Sequence, residues 1–172
     1  MQDEILLAID GSTKSTGYAI FKNKQLIDHG VITATGSNLF YRIEKVTFDL
    51  EEIVNKYNPT RVALEEVLPD DVHHNQQVYK ALTYLQGFIR DMLNKYTLDA
   101  ELIPASHWRK ICNIKTGRGV RRESLKKSDV LFVKSKYNID VNDDEADAIC
   151  IGYAIIYEKN LPSNDIDDFE FR

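Results

Sequence analysis

Apolar and polar residues alternate along this chain in two rhythms. Residues 5–10, ILLAID, form a short apolar run closed by an acid, the signature of a buried strand. Residues 18–22 and 25–33 read as two further strands joined by a tight turn at Asn23-Lys24. Between the first and second strands, GSTKSTG is a polar, glycine-flanked turn. Three strands in immediate succession predict an antiparallel meander.

The rhythm then changes. Leu39, Ile43, Val46, Leu50, Ile53, Val54 and Tyr57 recur at helical spacing, with Ser37 or Asn38 as N-cap and Asn58-Pro59 as terminator. Residues 61–66 predict a short strand. A polar loop over 69–75 leads to a second helix over about 76–95, with Val78, Leu82, Leu85, Ile89 and Met92 or Leu93 inward. Residues 100–103 form a fifth strand, and Pro104-Ala105-Ser106 starts a turn or short helix carrying Trp108, which reads as a core residue or else an interface residue. The stretch 113–120, with two glycines, predicts a mobile loop, and 121–136 a basic amphipathic helix with Leu125, Val130 or Leu131, and Val133 or Lys134 near its apolar boundary. Asn142 and Glu145 have capping-box spacing at the head of the last helix, where Ala146, Ile149, Cys150, Tyr153, Ala154 and Tyr157 should face the core. The order predicts an α/β fold with a five-stranded mixed sheet flanked by helices. It forms one domain over 1–160, with an acidic tail over 161–172.

Charge refines this picture. The net charge is -5 over 172 residues. Between Pro104 and Lys136, however, ten bases (Arg109, Lys110, Lys115, Arg118, Arg121, Arg122, Lys126, Lys127, Lys134, Lys136) face only Glu123 and Asp129. That stretch is a candidate phosphate-contacting surface or, equally, a solvated basic helix and loop. No apolar run approaches a membrane span, and the N-terminus lacks a signal-peptide pattern. Cys112 and Cys150 lie far apart with no metal-ligand spacing, which points to a reduced, cytoplasmic setting. The isolated His29 and His107 and the adjacent His73 and His74 read as ordinary polar residues rather than a zinc site.

The candidate chemistry lies in four carboxylates at element boundaries. Asp10 ends the first apolar run, Glu65 ends VALE, and Asp144 and Asp147 open the last helix three residues apart, on one face. Acids beside buried runs need compensation, and a pair of divalent cations bound through oxygen ligands would supply it. Such a site performs phosphoryl transfer, most plausibly as a nuclease. Each position also has a plainer reading. Asp10 fits an Asx-turn, and Asp144 and Asp147 fit acids favoured by a helix N-terminus. Consecutive strand residues point oppositely, so only one of Glu65 and Glu66 faces the site; Glu65 is the choice made here.

Four segments in order, AIDGSTKSTGYAI at 8–20, VALEEV at 62–67, PASHWRK at 104–110 and DDEADAICIGYAI at 143–155, resemble the RuvC-type Holliday junction resolvases of the ribonuclease H-like superfamily. The resemblance covers residues 5–158 and implies a ribonuclease H-like fold. It implies two Mg²⁺ or Mn²⁺ ions per active site on Asp10, Glu65, Asp144 and Asp147. It implies catalytic roles for Lys110, which contacts DNA near the scissile phosphate, and for Arg122, which stands where relatives carry a lysine. It also implies a homodimer that resolves four-way junctions by paired symmetric nicks, leaving 5′-phosphate and 3′-hydroxyl ends. Ser12, Thr13, Lys14, Arg109, Lys110, Lys115, Arg118, Arg121, Arg122 and Lys126 are then the candidate DNA contacts. Gly11 replaces the family's usual proline, and Leu68-Pro69 stand where an aromatic residue often reaches the junction centre. Both departures resemble bacteriophage resolvases, which would place the protein in a bacterial host cell. Two other readings stay open. One is a branched-DNA-binding dimer without turnover. The other is a fragment of an actin-like kinase or ATPase, which the segment DGSTKSTG also resembles.

Overall fold

The computed structural model describes residues 3–69, 75–117 and 119–158. Five strands, β1 (Ile5–Asp10), β2 (Ser15–Lys22), β3 (Gln25–Thr33), β4 (Arg61–Glu65) and β5 (Ala100–Ile103), form one sheet in the order β3-β2-β1-β4-β5. The pairs β1–β2 and β2–β3 are antiparallel, whereas β1–β4 and β4–β5 are parallel. Helices α1 (Leu39–Tyr57) and α2 (Gln76–Asn94) supply the two crossovers. Helices α3 (Ala105–Ile111), α4 (Arg122–Tyr137) and α5 (Asp143–Tyr157) follow the last strand. This is the expected five-stranded mixed sheet flanked by helices, a ribonuclease H-like architecture.

The two faces of the sheet differ in side-chain size, because strand residues alternate in direction. Leu7, Ile9, Ile20, Val62 and Leu64 face α1 and α2 and join Ile43, Val46, Leu50, Leu85 and Ile89 in one core. The other face carries Leu6, Ala8, Ala19, Phe21 and Ala63, packed against Trp108, Val133 and α5. Its centre is paved with alanine, and α5 answers with Ala146, Ala148, Gly152 and Ala154. Residues 146–152, 154 and 155 of α5 are all buried, so this helix is apolar nearly all round.

Two glycines set how closely α5 lies. A Cβ on Gly17 would stand 1.9 Å from the backbone oxygen of Asp144, and one on Gly152 would stand 2.2 Å from the Phe21 ring. Gly17 is the register partner of Asp10, so the closest approach of helix to sheet falls beside the end of β1.

Local signals account for most boundaries. The Asn38 side chain caps α1 by accepting from the Tyr41 N–H, and Asn58 ends it in a left-handed conformation at φ 47°. Asn142 and Glu145 form the capping box at α5. Several expectations change. Ser15, Thr16 and Gly17 belong to β2 rather than to a turn, because Thr16 is buried and its hydroxyl and the Ser12 backbone bond each other in both directions. Glu66 lies beyond β4, and the residues around Trp108 are a true helix. Val78 and Tyr157 are exposed near the ends of α2 and α5, and Leu131, midway along α4, is exposed on its outer face. Val130 packs half-buried against the core, as the spacing offered, and Asp129, one turn before Val133, is fully buried with it. Leu161 and the rest of the tail lie outside the described residues, as do His73, His74 and Arg118.

The close seating of α5 yields a prediction. Gly17→Ala should destabilise the protein by about 1–3 kcal/mol, the usual cost of overpacking, read as a lower melting temperature. Gly87→Ala, in exposed helix with nothing within 4 Å of the added Cβ, should leave it unchanged or raise it slightly. Equal effects from the two would show that α5 does not need the bare backbone at Gly17.

Candidate active site

Parallel pairing brings the first two carboxylates together. The β1–β4 register runs from Leu6↔Arg61 to Ile9↔Leu64, so one step further Asp10 is level with Glu65 on the neighbouring strand. Strands side by side in register point equivalent side chains to one face, about 4.8 Å apart. Asp10 continues the Leu6–Ala8 side and Glu65 the Ala63 side, which is the α5 face. Glu66 falls on the other side and donates its N–H to the Ile103 carbonyl at 3.0 Å. Register thus separates the two adjacent glutamates.

The second pair arrives with α5. Its first turn reaches the sheet edge where Asp10 and Gly17 lie, and Asp144 accepts a short hydrogen bond from the Ser15 hydroxyl. Asp147, one turn on, is buried. Burial first, and then the neighbouring charges of Glu65 and Asp144, raise the Asp10 carboxyl well above the usual carboxylate range, against the opposing pull of Arg109 and Lys126. Burial, followed by Asp10 and Asp129, pushes Asp147 up to about 10. The four acids therefore share one electrostatic neighbourhood.

Their immediate partners are protein groups. The Trp108 indole N–H donates to Glu65 Oε2 at 2.8 Å. Arg109 stacks on the Trp108 ring, its guanidinium carbon 4.2 Å from the centroid. Its Nη2 lies 3.2 Å from Asp129 Oδ2 and 3.9 Å from Asp147 Oδ2. Lys126 of α4 reaches Asp143 at 3.1 Å and lies within electrostatic range of Asp10, Asp144 and Asp147.

The donor set is all-oxygen and suits a hard divalent cation. Asp147 Oδ1 is buried without a hydrogen-bond partner, a ligand atom whose burial a cation would offset. Among the described residues, no three His, Cys, Asp or Glu side chains are gathered tightly enough to hold an ion. Ser15 and Trp108 each hold one of the acids, and four neighbouring negative charges repel one another.

The remaining candidates spread out. Lys110, Lys115, Arg121 and Arg122 are exposed. Arg109 instead turns inward. Ser12 is tied to Thr16 through its backbone, and its hydroxyl accepts from the Lys14 N–H at 3.4 Å; Thr13 is half-buried and Lys14 exposed. Gly11 has room for a side chain, the nearest atoms to a Cβ being Leu64 at 3.6 Å and Leu85 at 3.7 Å. His29 pairs with Glu145 and His107 with Glu158, in keeping with ordinary polar roles. Sequence reasoning missed Ser15, Gly17 and Asp129 altogether, and it placed Trp108 in the core or an interface without its bond to Glu65. For Asp129 a signal existed: an acid between Ser128 and Val130 on the inward stripe of an otherwise basic helix.

Comparison with known proteins is consistent with this geometry. Residues 6–103 match the family described as crossover junction endodeoxyribonuclease RuvC. The crossover junction endodeoxyribonuclease RuvC of Rickettsia africae is 27% identical over 161 residues, covering 91% of this chain and 99% of the relative. That of Orientia tsutsugamushi is 26% identical over 163 residues, covering 91% and 98%. Among solved structures, T. thermophilus RuvC in complex with Holliday junction substrate superposes with a TM-score of 0.68 at 12% identity, covering 88% of this chain and 91% of that one. The yeast mitochondrial Holliday junction resolvase Ydc2 gives 0.54 at 11%, covering 87% and 76%. At those identities the structural likeness speaks for the fold.

Burial of Asp147 makes stability depend on pH. Its carboxyl is raised from 3.8 to about 10 in the folded protein, so the folded state holds a proton that the unfolded chain has released. That contribution is complete below pH 3.8 and is lost progressively as pH rises toward 10. Without divalent metal, the melting temperature should decline from mildly acidic to mildly alkaline pH beyond what Asp147→Asn shows, and the variant should melt higher at neutral pH. Parallel pH profiles for the two proteins would contradict the burial argument.

Proposed function

The chain belongs to the crossover junction endodeoxyribonuclease RuvC family, and we propose that it is a metal-dependent, structure-selective DNA endonuclease that resolves four-way junctions by paired symmetric nicks. The observation that carries this reading is the level placement of Asp10 and Glu65 on adjacent parallel strands, with Asp144 and Asp147 brought to them by α5. In this reading Asp10, Glu65, Asp144 and Asp147 hold two Mg²⁺ or Mn²⁺ ions. Bound there, the ions would supply an activated water and stabilise charge on the leaving 3′ oxygen.

The chain's own groups do the rest. Lys126 faces the carboxylates from α4, within electrostatic range of Asp10, Asp144 and Asp147, and in this reading reaches the scissile phosphate. Its compact ammonium can hold a phosphate oxygen and hand over a proton, a role for which the more exposed Arg122 is chemically poor. Lys110, Lys115, Arg121 and Arg122 offer solvent-facing charge for the DNA backbone. Ser12, Thr13 and Lys14, next to Asp10, are further backbone contacts in this reading. The products carry 5′-phosphate and 3′-hydroxyl ends. Gly11 and Leu68-Pro69 support a bacteriophage-type member with a broader range of branched substrates. Among the described residues no helix is long and apolar enough to cross a membrane.

A labelled four-way junction with Mg²⁺ tests the reading. The wild-type protein should place paired nicks, and Asp10→Asn or Asp147→Asn should bind the junction while cutting falls by roughly a hundredfold or more, since several kcal/mol of charge stabilisation are removed. Undiminished cutting by either variant would remove the site assignment. Binding without cutting by the wild type would favour the non-catalytic dimer. Y-forks and flaps alongside the junction would set the substrate range.

Paired nicks need two sites, and an exposed aromatic face supports a homodimer. Phe40 on α1 is 50% exposed, stacks on Tyr84 of α2 at 5.7 Å and lies 6.4 Å from Phe88. Phe40→Glu with Phe88→Glu should convert a dimer to a monomer in size-exclusion chromatography with light scattering. An unaltered dimer would place the interface elsewhere.

A further inference from the structure

Two side chains, Trp108 and Arg109, link Glu65 to Asp147 without passing through Asp10 or Asp144, and Asp129 anchors the second of them. Glu65 accepts the Trp108 N–H at 2.8 Å. The Trp108 ring carries the Arg109 guanidinium at 4.2 Å. Arg109 Nη2 binds Asp129 Oδ2 at 3.2 Å and lies 3.9 Å from Asp147 Oδ2. Trp108 and Asp129 are both fully buried. The contacts join β4, α3, α4 and α5, adding side-chain links at the site to the packing of β4, α3 and α4 against α5.

Arg109 is an unusual cation for this region. The exposed bases around it face solvent, whereas Arg109 turns its charge into the protein against two acids. An arginine there does two things a lysine cannot. Its plane stacks on the indole, and its forked donors can address two carboxylates at once. Asp129 has no exposed surface; it binds the guanidinium directly and also acts on Asp147. Arg109 Nε, Asp129 Oδ1 and Asp147 Oδ1 are all buried without partners, so this pairing is not arranged for maximal stability. A buried ion pair is in general replaceable by apolar residues at little cost, so its retention calls for another explanation.

We propose that Arg109 is a positioning residue: anchored by Asp129, it fixes Glu65 through Trp108 on one side and Asp147 on the other, setting the spacing of these two carboxylates. This rests on the reading of Glu65 and Asp147 as metal-holding acids. Groups that orient ligating residues typically affect metal affinity or activity by about 10- to 100-fold.

The single tryptophan of the chain makes the idea measurable without turnover, because Trp108 emission reports the site directly. Mn²⁺, a paramagnetic quencher, is titrated while this emission is followed, and junction binding and cutting are measured on the same proteins. The test variant is Arg109→Met with Asp129→Leu, which removes both buried charges together and should fold, melting near the wild type. Its Mn²⁺ midpoint should rise about tenfold and its cutting rate fall about 10- to 100-fold, with junction affinity within twofold of the wild type. Arg109→Lys, which keeps the charge but neither the stacking nor the fork, should be similarly impaired in Mn²⁺ midpoint. A double variant that folds and matches the wild type in midpoint and cutting rate would overturn the proposal, leaving Arg109–Asp129 a plain ion pair. Full recovery by Arg109→Lys would also overturn it in favour of charge balance alone. If the wild type neither cuts nor shows Mn²⁺ quenching, the metal-site reading itself fails, and the positioning role with it.

Discussion

The close seating of α5 on an alanine-paved sheet face is the constraint on which the rest of the molecule depends. Ala8, Ala19 and Ala63 on the sheet meet Ala146, Ala148 and Ala154 on the helix, and Gly17 and Gly152 remove the last obstacles at either end. Small residues gain little from burial individually. They let the backbones approach so closely that the larger Ile149, Ile151 and Ile155, all buried, find full packing. Burying such side chains contributes roughly 1.5–3 kcal/mol each. That gain offsets the cost of carrying Asp144 and Asp147 to a sheet edge that already holds two acids.

The site is correspondingly a place where the fold works against itself. Asp10 is raised by burial and then by Glu65 and Asp144, and Asp147 by burial and then by Asp10 and Asp129, so the protein without cations holds them at a cost. The cost is concentrated on rigid elements, two strand ends and a helix N-terminus, rather than on loops. Such elements hold functional groups more sharply than loops do. Ser15, Trp108 and Arg109 supply local relief for Asp144, Glu65 and Asp147 respectively. The stability lost to charge repulsion is what cations bound there would restore.

Much of this was legible in the residues. The strand ILLAID ended where expected, the capping box at Asn142 and Glu145 formed, and the order of elements led to the mixed sheet. These features are local: a side-chain period, a cap or a turn lies within a few residues. The failures share a different cause. Ser15–Gly17 looked like turn residues because polarity and glycine content say nothing of Thr16 being buried against the Ser12 backbone. Asp129 and Arg109 looked like members of a charged surface because each is favourable inside only when the other is already there.

The sequence by itself determined, to within a few residues, where strands end and helices open, and therefore which acids stand near element boundaries, because those features follow from periodicity and capping chemistry. Only the tertiary structure decided which acids and cations meet. Parallel pairing in register set Asp10 level with Glu65 and turned Glu66 away. Packing of α4 against α5 chose Lys126 over Arg122 as the cation facing the carboxylates, and packing of α3 turned Arg109 inward while leaving Lys110 in solvent. Such choices depend on distances between residues far apart in the chain. Those distances are set by how closely helix and sheet can approach, and no single segment contains that information.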